Sequence, residues 1–319
     1  MHRVQFCMTP YRGRFAPTPS GPLHFGSMVA AVGSYLDARA HGGSWALRID
    51  DVDAPRVVPG SVDSILRCLE AFHMAWDGEV VFQSRHSDAY QAALDELRVR
   101  QVLYPCACSR KAIEDAALAG VDGPVYPGTC RAGLAPGRTA RAWRVRCATA
   151  IIEFEDQLQG PVRQDLERDV GDFVLLRADR IFAYHLACVV DDGAQGITHV
   201  VRGADLLAST PRQIHLQRLL GLDTPQYLHL PVARNARGEK LSKQTLAQAV
   251  EPDRAAIVLA DVLDFLNHAP PHTLRAGGVS ELWDWALENW RRDRLARESG
   301  SAWRNTLAAE KTPAGGRNC

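Results

Sequence analysis

The sequence has no long uninterrupted apolar segment. No stretch approaches the ~20 apolar residues that a membrane helix requires, and the N-terminus is not followed by the apolar core of a signal peptide. Internal repeats and long low-complexity segments are also missing. These absences argue against a membrane protein, a secreted protein and a repeat protein, so we expect a cytoplasmic protein without membrane contact.

Lysine is scarce, and the chain has no excess of either charge. The 37 basic residues balance 37 acidic residues, which argues against a protein that coats nucleic acid through its overall field but leaves room for a local basic track. Only four of the basic residues are lysines. Two of these, Lys240 and Lys243, lie in one short polar segment. In a chain that otherwise uses arginine, this placement suggests a specific role.

Cysteine is sparse as well, with eight residues scattered over 319. Without a secretory signal, free thiols or a metal site are expected rather than a disulfide framework. Only Cys106, Cys108 and Cys130 cluster in the sequence. An apolar content of 46% in a chain of this length is enough for about two domains of ~100–200 residues.

Apolar spacing predicts an α/β fold with a parallel sheet. A strand near residue 14, a helix over 24–40 and a strand over 45–49 form the start of a βαβ unit, and further helices are predicted after Gly60 and over 87–100. Between 104 and 160 this regularity breaks, and strands return near 173 and 197. Thr210 and Pro211 mark the start of another helix.

We therefore predict four consecutive parts. Residues 1–103 form the first half of a nucleotide-binding domain, 104–172 an inserted α/β subdomain, and 173–225 the second half of the domain. Residues 226–319 hold the lysine-bearing loop and a short helical C-terminal region.

The segment from Pro17 to Ser27 is a stiff loop that leads directly into a helix. Helix N-termini bind phosphate, so His24 is a candidate donor to a phosphate oxygen, and Gly26 gives a nucleotide room near the backbone. Ser27 adds a hydroxyl at the helix start. The alternative is that His24 only caps the helix.

A second polar loop, 237–244, contains both lysines. Lys240 and Lys243 suit the stabilisation of negative charge on a leaving pyrophosphate, together with Mg²⁺. The alternative is a solvated surface turn. With His24, the two lysines are the candidate catalytic residues, and ATP binding is assigned to His24, Gly26, Ser27 and Lys243.

In this order and spacing, the two loops resemble the HIGH and KMSKS signatures of class I aminoacyl-tRNA synthetases. Here they are HFGS, ending in Ser27 instead of histidine, and KLSKQ, ending in Gln244 instead of serine. The resemblance to the glutamyl branch extends over segments 14–21, 48–53, 184–187, 190–192 and 197–206. It implies a Rossmann-type parallel sheet and ATP-dependent activation of L-glutamate.

The same resemblance implies a glutamate site. The residues that match the family's amino-acid contacts are Arg14, Phe15, Ala16, Pro17, Thr18, Asp50, Tyr184 and Arg202. Arginine offers bidentate pairing to a carboxylate, and Asp50, where the branch usually has glutamate, would bind the ammonium group. Alternatively, Arg14 is a surface charge, and Asp50, Asp51 and Asp53 cap a turn or bind a metal.

Three thiols in the insertion suggest a structural zinc site. Cys106, Cys108 and Cys130 give three ligands, whereas structural zinc usually takes four. Resemblance to the short glutamyl-synthetase-like relatives implies Tyr126 as the fourth, with Cys147 or water as other choices. The alternative is a set of unrelated reduced cysteines.

The short segment after the lysine loop suggests the acceptor. Only 75 residues follow Gln244, whereas ordinary glutamyl-tRNA synthetases carry a large helical anticodon-reading region. Resemblance to the truncated branch therefore implies glutamate activation without tRNA, followed by transfer to the queuosine base in the anticodon of tRNA(Asp), by a monomer.

Three other functions compete with this one. A minimal glutamyl-tRNA synthetase would charge a tRNA 3′ end. A nucleotidylyltransferase would share the histidine loop but lack a glutamate pocket, and a noncatalytic tRNA- or zinc-binding relative would not need to keep Lys240 and Lys243.

Overall fold

The computed structural model describes residues 10–120, 123–234, 248–275 and 277–297. Its strands are β1 (Arg12–Phe15), β2 (Ser44–Ile49), β3 (Val81–Phe82), β4 (Leu103–Cys106), β5 (Leu118–Gly120), β6 (Gly123–Val125), β7 (Ala142–Val145), β8 (Ile151–Asp156), β9 (Gly160–Asp165), β10 (Val174–Leu176), β11 (His199–Gly203) and β12 (Gln226–Leu230). Its helices are α1 (Phe25–Ala40), α2 (Ser61–Ala71), α3 (Ser87–Val99), α4 (Arg110–Glu114), α5 (Leu166–Asp169), α6 (Tyr184–Ala194), α7 (Thr210–Leu220), α8 (Ala255–Phe265), α9 (His272–Arg275) and α10 (Val279–Asn289).

Helix α1 is the longest of these helices and follows the predicted bounds closely. It begins after His24, whose ring Nδ1 accepts a hydrogen bond from the backbone N–H of Ser27 at 3.2 Å. Met28, Val32 and Leu36 are completely buried on its inner face. The helix ends before Gly42, which has the positive φ of 65° that a helix terminus favours.

The predicted parallel sheet is confirmed. Strand β2 pairs in parallel with both β1 and β3, and β11 pairs in parallel with β12. The two sets meet where the backbone N–H of Thr198 donates to the carbonyl oxygen of Arg12 at 2.9 Å. Strand β12 lies at the start of the predicted part 226–319, so this part begins with a strand of the sheet. Local composition did not reveal the pairing of β12 with β11.

The insertion contacts the sheet as well as its own strands. Strands β4 and β7 pair antiparallel, β7 also pairs with β10, which follows the predicted insertion, and β8 and β9 form a hairpin. At its end, Asp156 of β8 lies in register with Tyr227 of β12. One acidic residue of the insertion thus lies against the nucleotide-binding sheet.

The C-terminal helices pack on α1 and α2. Trp283 donates a hydrogen bond to the backbone oxygen of Phe72 at 2.7 Å. Asp37 of α1 is fully buried and accepts hydrogen bonds from Tyr11, Trp290 and Arg292 at 2.6–3.1 Å. Within the described ranges, no helix is long and apolar enough to cross a membrane.

Candidate active site and cysteine cluster

A cavity of about 600 Å³ opens at the carboxyl ends of β1 and β11. The carboxyl ends of the strands are where open α/β sheets bind ligands. Its walls are the loop after β1, the first turns of α1, and the ends of β11 and β12. Predicted site residues in these walls are Arg14, Phe15, Ala16, Pro17, Thr18, His24, Gly26, Ser27, Tyr184 and Arg202.

Backbone hydrogen bonds hold the loop between β1 and α1 in place. The carbonyl oxygen of Pro17 accepts from the N–H of Asp50 at 3.0 Å, and that of Pro19 from Val58 at 2.9 Å. The loop therefore directs the N-terminus of α1 toward the cavity, where its partial positive charge favours a phosphate. Since Nδ1 of His24 caps the helix, a phosphate contact by this ring falls to Nε2.

Arg14 is buried, so the surface-charge alternative is wrong. Its guanidinium pairs with Asp192 at 3.3 Å, and Arg48 donates to the same carboxylate at 2.6 Å. Burial opposes charge on all three groups, but the attraction of both arginines to Asp192, and of Arg48 to Asp50, outweighs it. The pKa of Arg14 is raised, and that of Asp192 falls to about 2. The three groups stay charged.

Asp50, the predicted contact of the ammonium group, is buried, and its backbone N–H donates to Pro17 of the cavity wall. Its carboxylate accepts a hydrogen bond from Nε of Arg48 at 2.7 Å, and it is not among the residues that line the cavity. Its neighbours are also occupied: Asp51 accepts from Ser84, and Asp53 pairs with Arg177 at 2.9 Å. The described residues show no metal-binding group of three at these aspartates.

Sequence reasoning did not assign a role to Arg48, Asp191 or Asp192, although all three lie in segments that carry the resemblance. Asp191 accepts hydrogen bonds from Gln83, His86 and Tyr90 at 2.7–3.0 Å. Two adjacent acidic residues, both buried, in the last turn of an otherwise mostly apolar helix were the available signal. They fix helix α6, which carries Tyr184, beside Arg14.

Arg202 projects from β11 to the wall of the cavity. Its Nη2 donates to Thr210 and Gln213, both at 2.8 Å, and its Nε donates to His229 at 3.1 Å. Its Nη1 lies 3.4 Å from the hydroxyl of Tyr184, whose pKa is raised chiefly by burial. Tyr184 is therefore a neutral hydroxyl beside a permanent cation.

Lys240 and Lys243 lie outside the described residues, but the segments on either side of them can be placed. Before the gap, Pro231, Val232 and Ala233 line the cavity. After it, Ala249 forms a backbone bridge with His24, and the N–H of Val250 donates to Leu23 at 2.9 Å. The described residues that flank 235–247 therefore lie beside the first motif.

The insertion brings the thiols of Cys106, Cys108 and Cys130 within 4.8 Å of one another. The sulfurs of Cys108 and Cys130 are 3.7 Å apart, and the hydroxyl of Tyr126 lies 3.5 Å and 3.7 Å from those of Cys106 and Cys108. Tetrahedral ligands about 2.3 Å from zinc lie roughly 3.8 Å apart. The four groups fit one such ion.

The surroundings favour the thiolate of Cys106 and disfavour that of Cys108. Burial opposes charge on Cys106, but hydrogen bonds, including one from Arg144 at 3.4 Å, outweigh it and lower its pKa. Burial raises the pKa of Cys108, which is consistent with a crowded site before metal binds. Cys147 packs in a different core cluster and hence does not join the group.

Comparisons with a protein family and with individual sequences both identify tRNA synthetases. The family of class I tRNA synthetases (E and Q), catalytic domain, matches residues 11–257. Glutamyl-Q tRNA(Asp) synthetase of Dechloromonas aromatica is 60% identical over 91% of this chain and 97% of its own length. The protein of the same name from Aromatoleum aromaticum is 58% identical over 88% of this chain and 89% of its own length.

A solved glutamate tRNA ligase from Elizabethkingia meningosepticum, in complex with its amino acid, has the same fold. The TM-score is 0.74 at 23% identity, and the match covers 91% of this chain and 66% of that one. The chain thus spans just under two thirds of the length of that structure.

Proposed function

The chain belongs to the class I tRNA synthetases of the E and Q type, and on this premise we propose that it activates L-glutamate with ATP and transfers it to the queuosine base of tRNA(Asp). The observation that carries the proposal is the single cavity wall that combines the helix-start motif with Arg14, Tyr184 and Arg202. An anion-binding helix end beside two buried arginines suits the meeting of a triphosphate and an amino acid dicarboxylate.

In the proposed activation, the α-carboxylate of glutamate attacks the α-phosphate of ATP and pyrophosphate leaves. Arg202 binds a carboxylate of glutamate, while the loop from Phe15 to Thr18 positions the amino acid. The buried carboxylate of Asp192 pairs with Arg14 and Arg48 and so fixes the positions of these charges on this side of the pocket. Asp50 acts on the ammonium group from behind Arg48, through the field or a bridging water.

The phosphates of ATP lie at the start of α1, where His24 donates a hydrogen bond to a phosphate oxygen. Gly26 leaves room for the nucleotide near the backbone, and Ser27 lines the same space. Mg²⁺ bound with ATP neutralises part of the charge that develops on pyrophosphate. Lys240 and Lys243 supply the remaining positive charge, and the described residues on either side of their segment lie beside His24.

Replacing Lys243 with alanine should slow adenylate formation about 10- to 100-fold, because a positioned cation on the leaving group acts mainly in the transition state. Glutamate binding should change far less. Pre-steady-state formation of labelled glutamyl-adenylate measures the first quantity, and equilibrium dialysis the second. Lys111→Ala, in the insertion, is the matched control, and equal rates in the two variants would contradict the assignment.

We also propose one structural zinc ion per chain, held by Cys106, Cys108, Cys130 and Tyr126. Its proposed role is to hold the inserted part, 104–172, in one conformation. The catalytic chemistry is assigned to the cavity. Residues of the parts 1–103, 173–225 and 226–319 line it. The enzyme is proposed to act as a monomer in the cytoplasm, where ATP and tRNA are present.

The choice of acceptor is tested with ATP, Mg²⁺, labelled glutamate and two preparations of tRNA(Asp), with and without queuosine. We expect label only on the queuosine-containing tRNA, in a form that survives removal of the tRNA 3′ end. Glutamate-dependent pyrophosphate exchange should proceed without any tRNA. Equal labelling of both preparations would reject the queuosine assignment in favour of a minimal glutamyl-tRNA synthetase.

A further inference from the structure

A buried carboxylate and a buried imidazole lie directly behind Arg202. Oδ2 of Asp156 lies 2.6 Å from Nδ1 of His229, and both side chains are fully buried. On the other edge of the ring, Nε2 of His229 lies 3.1 Å from Nε of Arg202. Three side chains from β8, β12 and β11 thus form one hydrogen-bonded series that ends at the cavity.

The ring of His229 has three side-chain contacts: Asp156 at Nδ1, and both Arg202 and the hydroxyl of Thr210 at Nε2, the hydroxyl at 3.1 Å. The contacts with Asp156 and Arg202 require the same tautomer, and the hydroxyl of Thr210 is compatible with it because its proton can go to the backbone oxygen of Leu206. A carboxylate oxygen at 2.6 Å requires a proton on Nδ1. The N–H of Arg202 can only donate, so it requires a lone pair on Nε2. The imidazole is therefore neutral, with Nδ1 as donor and Nε2 as acceptor.

The electrostatic surroundings of His229 favour the neutral ring. Burial lowers its pKa to about 4, although the hydrogen bond to Asp156 opposes this shift, and the nearby charge of Arg202 adds to it. At neutral pH the ring thus remains an acceptor for Arg202.

This acceptor fixes which edge of the guanidinium faces the cavity. Nε is bound to His229, and Nη2 is bound to Thr210 and Gln213. Within the described part of the chain, Nη1 has only the longer contact with Tyr184, at 3.4 Å. Because arginine has a planar, rigid arrangement of donors, fixing two of its nitrogens fixes the direction of the third.

We infer that Asp156 and His229 are positioning residues, which orient Arg202 so that its Nη1 edge meets a carboxylate of the amino acid. The inference rests on the proposed function, in which Arg202 binds glutamate. It assigns a role in amino-acid recognition to a residue of the insertion, since Asp156 lies within 104–172.

The sharpest test is Asp156→Asn, which preserves size. Oδ1 of Asp156 accepts from the backbone N–H groups of Leu158 and Gln159 at 3.1 Å and 2.8 Å, so the amide oxygen of asparagine keeps that place. Its NH₂ group then faces Nδ1 of His229 and moves the ring proton to Nε2, against the N–H of Arg202. The glutamate KM in pyrophosphate exchange should rise about 10-fold or more, with the ATP KM within about twofold.

Two substitutions at His229 separate hydrogen bonding from packing. His229→Gln puts an amide oxygen near the position of Nε2, so it should restore most of the glutamate affinity. His229→Leu fills similar space without an acceptor and should behave like Asp156→Asn. If the glutamine and leucine variants have the same glutamate KM, the positioning role is wrong.

Asp37→Asn is the matched control, because Asp37 is an equally buried carboxylate whose partners lie at the other end of α1. It should lower the melting temperature without changing the glutamate KM. Nitrogen-15 NMR of the histidine rings, assigned with His229→Gln, should show the Nδ1–H tautomer in the wild type and the Nε2–H tautomer in Asp156→Asn.

The outcomes distinguish the inference from the function. An Nε2–H tautomer in the wild type, an unchanged glutamate KM in Asp156→Asn, or an equal rise in both KM values would overturn the positioning role. Wild-type protein that exchanges no pyrophosphate with glutamate would reject the proposed function instead, and with it the role of the pair in glutamate recognition.

Discussion

Replacing Arg202 with alanine should lower kcat/KM for glutamate activation by about 100-fold or more, because removing one member of a desolvated charge pair costs roughly 3–5 kcal/mol. The loss should appear mainly in the glutamate KM, since Arg202 lies away from the helix start that is assigned to the phosphates. Pyrophosphate exchange at varied glutamate and ATP concentrations measures the two effects separately.

Arg202→Lys keeps the charge but not the planar donor arrangement. Lysine has no Nε–H at the position that faces His229, so we expect this variant to recover only a small part of the lost affinity. Arg98→Ala, which removes an exposed arginine of α3, is the control and should match the wild type. An Arg202→Ala enzyme with a normal glutamate KM would show that the amino acid binds elsewhere.

Replacing Cys106 with serine should abolish stable zinc binding and unfold the insertion around it. Structural zinc contributes about 10–16 kcal/mol of apparent binding free energy in small zinc-dependent domains, so losing one of four ligands removes much of the local stability. Metal analysis of purified protein should fall from about one zinc per chain toward zero. Hydrogen exchange should become faster around β4 and the residues near Tyr126.

Cys147→Ser is the matched control, because this cysteine is buried in the insertion yet outside the cluster. It should retain its zinc. A Tyr126→Phe variant with an unchanged zinc content would show that a group other than the phenol completes the site. Full zinc content in Cys106→Ser would contradict the assignment of the cluster.

Local sequence patterns predicted the elements that depend on local interactions. The helix start at His24, the apolar face of α1 and the strand predicted over 45–49 follow from spacing and short-range hydrogen bonds, and the structure shows a helix that begins after His24 and a strand over Ser44–Ile49. The cysteine cluster was also accessible, since Cys106 and Cys108 are near neighbours in the sequence.

Contacts between distant segments were beyond this reasoning. Arg48 and Asp192 are 144 residues apart, and Asp156 and His229 are 73 apart, so no local periodicity relates them. Asp50 illustrates the same limit: its place in a motif predicted a contact with the ammonium group, but not its hydrogen bond to the buried Arg48 two residues earlier. Buried charge is the physical reason, because each such group must find a partner wherever the fold provides one.

The contact between Asp37 and the C-terminal helices bears on the order in which the protein is synthesised. Arg292 emerges from the ribosome 255 residues after Asp37, and Trp290 only slightly earlier. Until then, the nascent α1 carries a carboxylate destined for burial without its main counter-charge, so the helix that begins at the nucleotide motif cannot complete its packing during most of translation. The packing of α1 is therefore completed only after residues 290–292 have been synthesised.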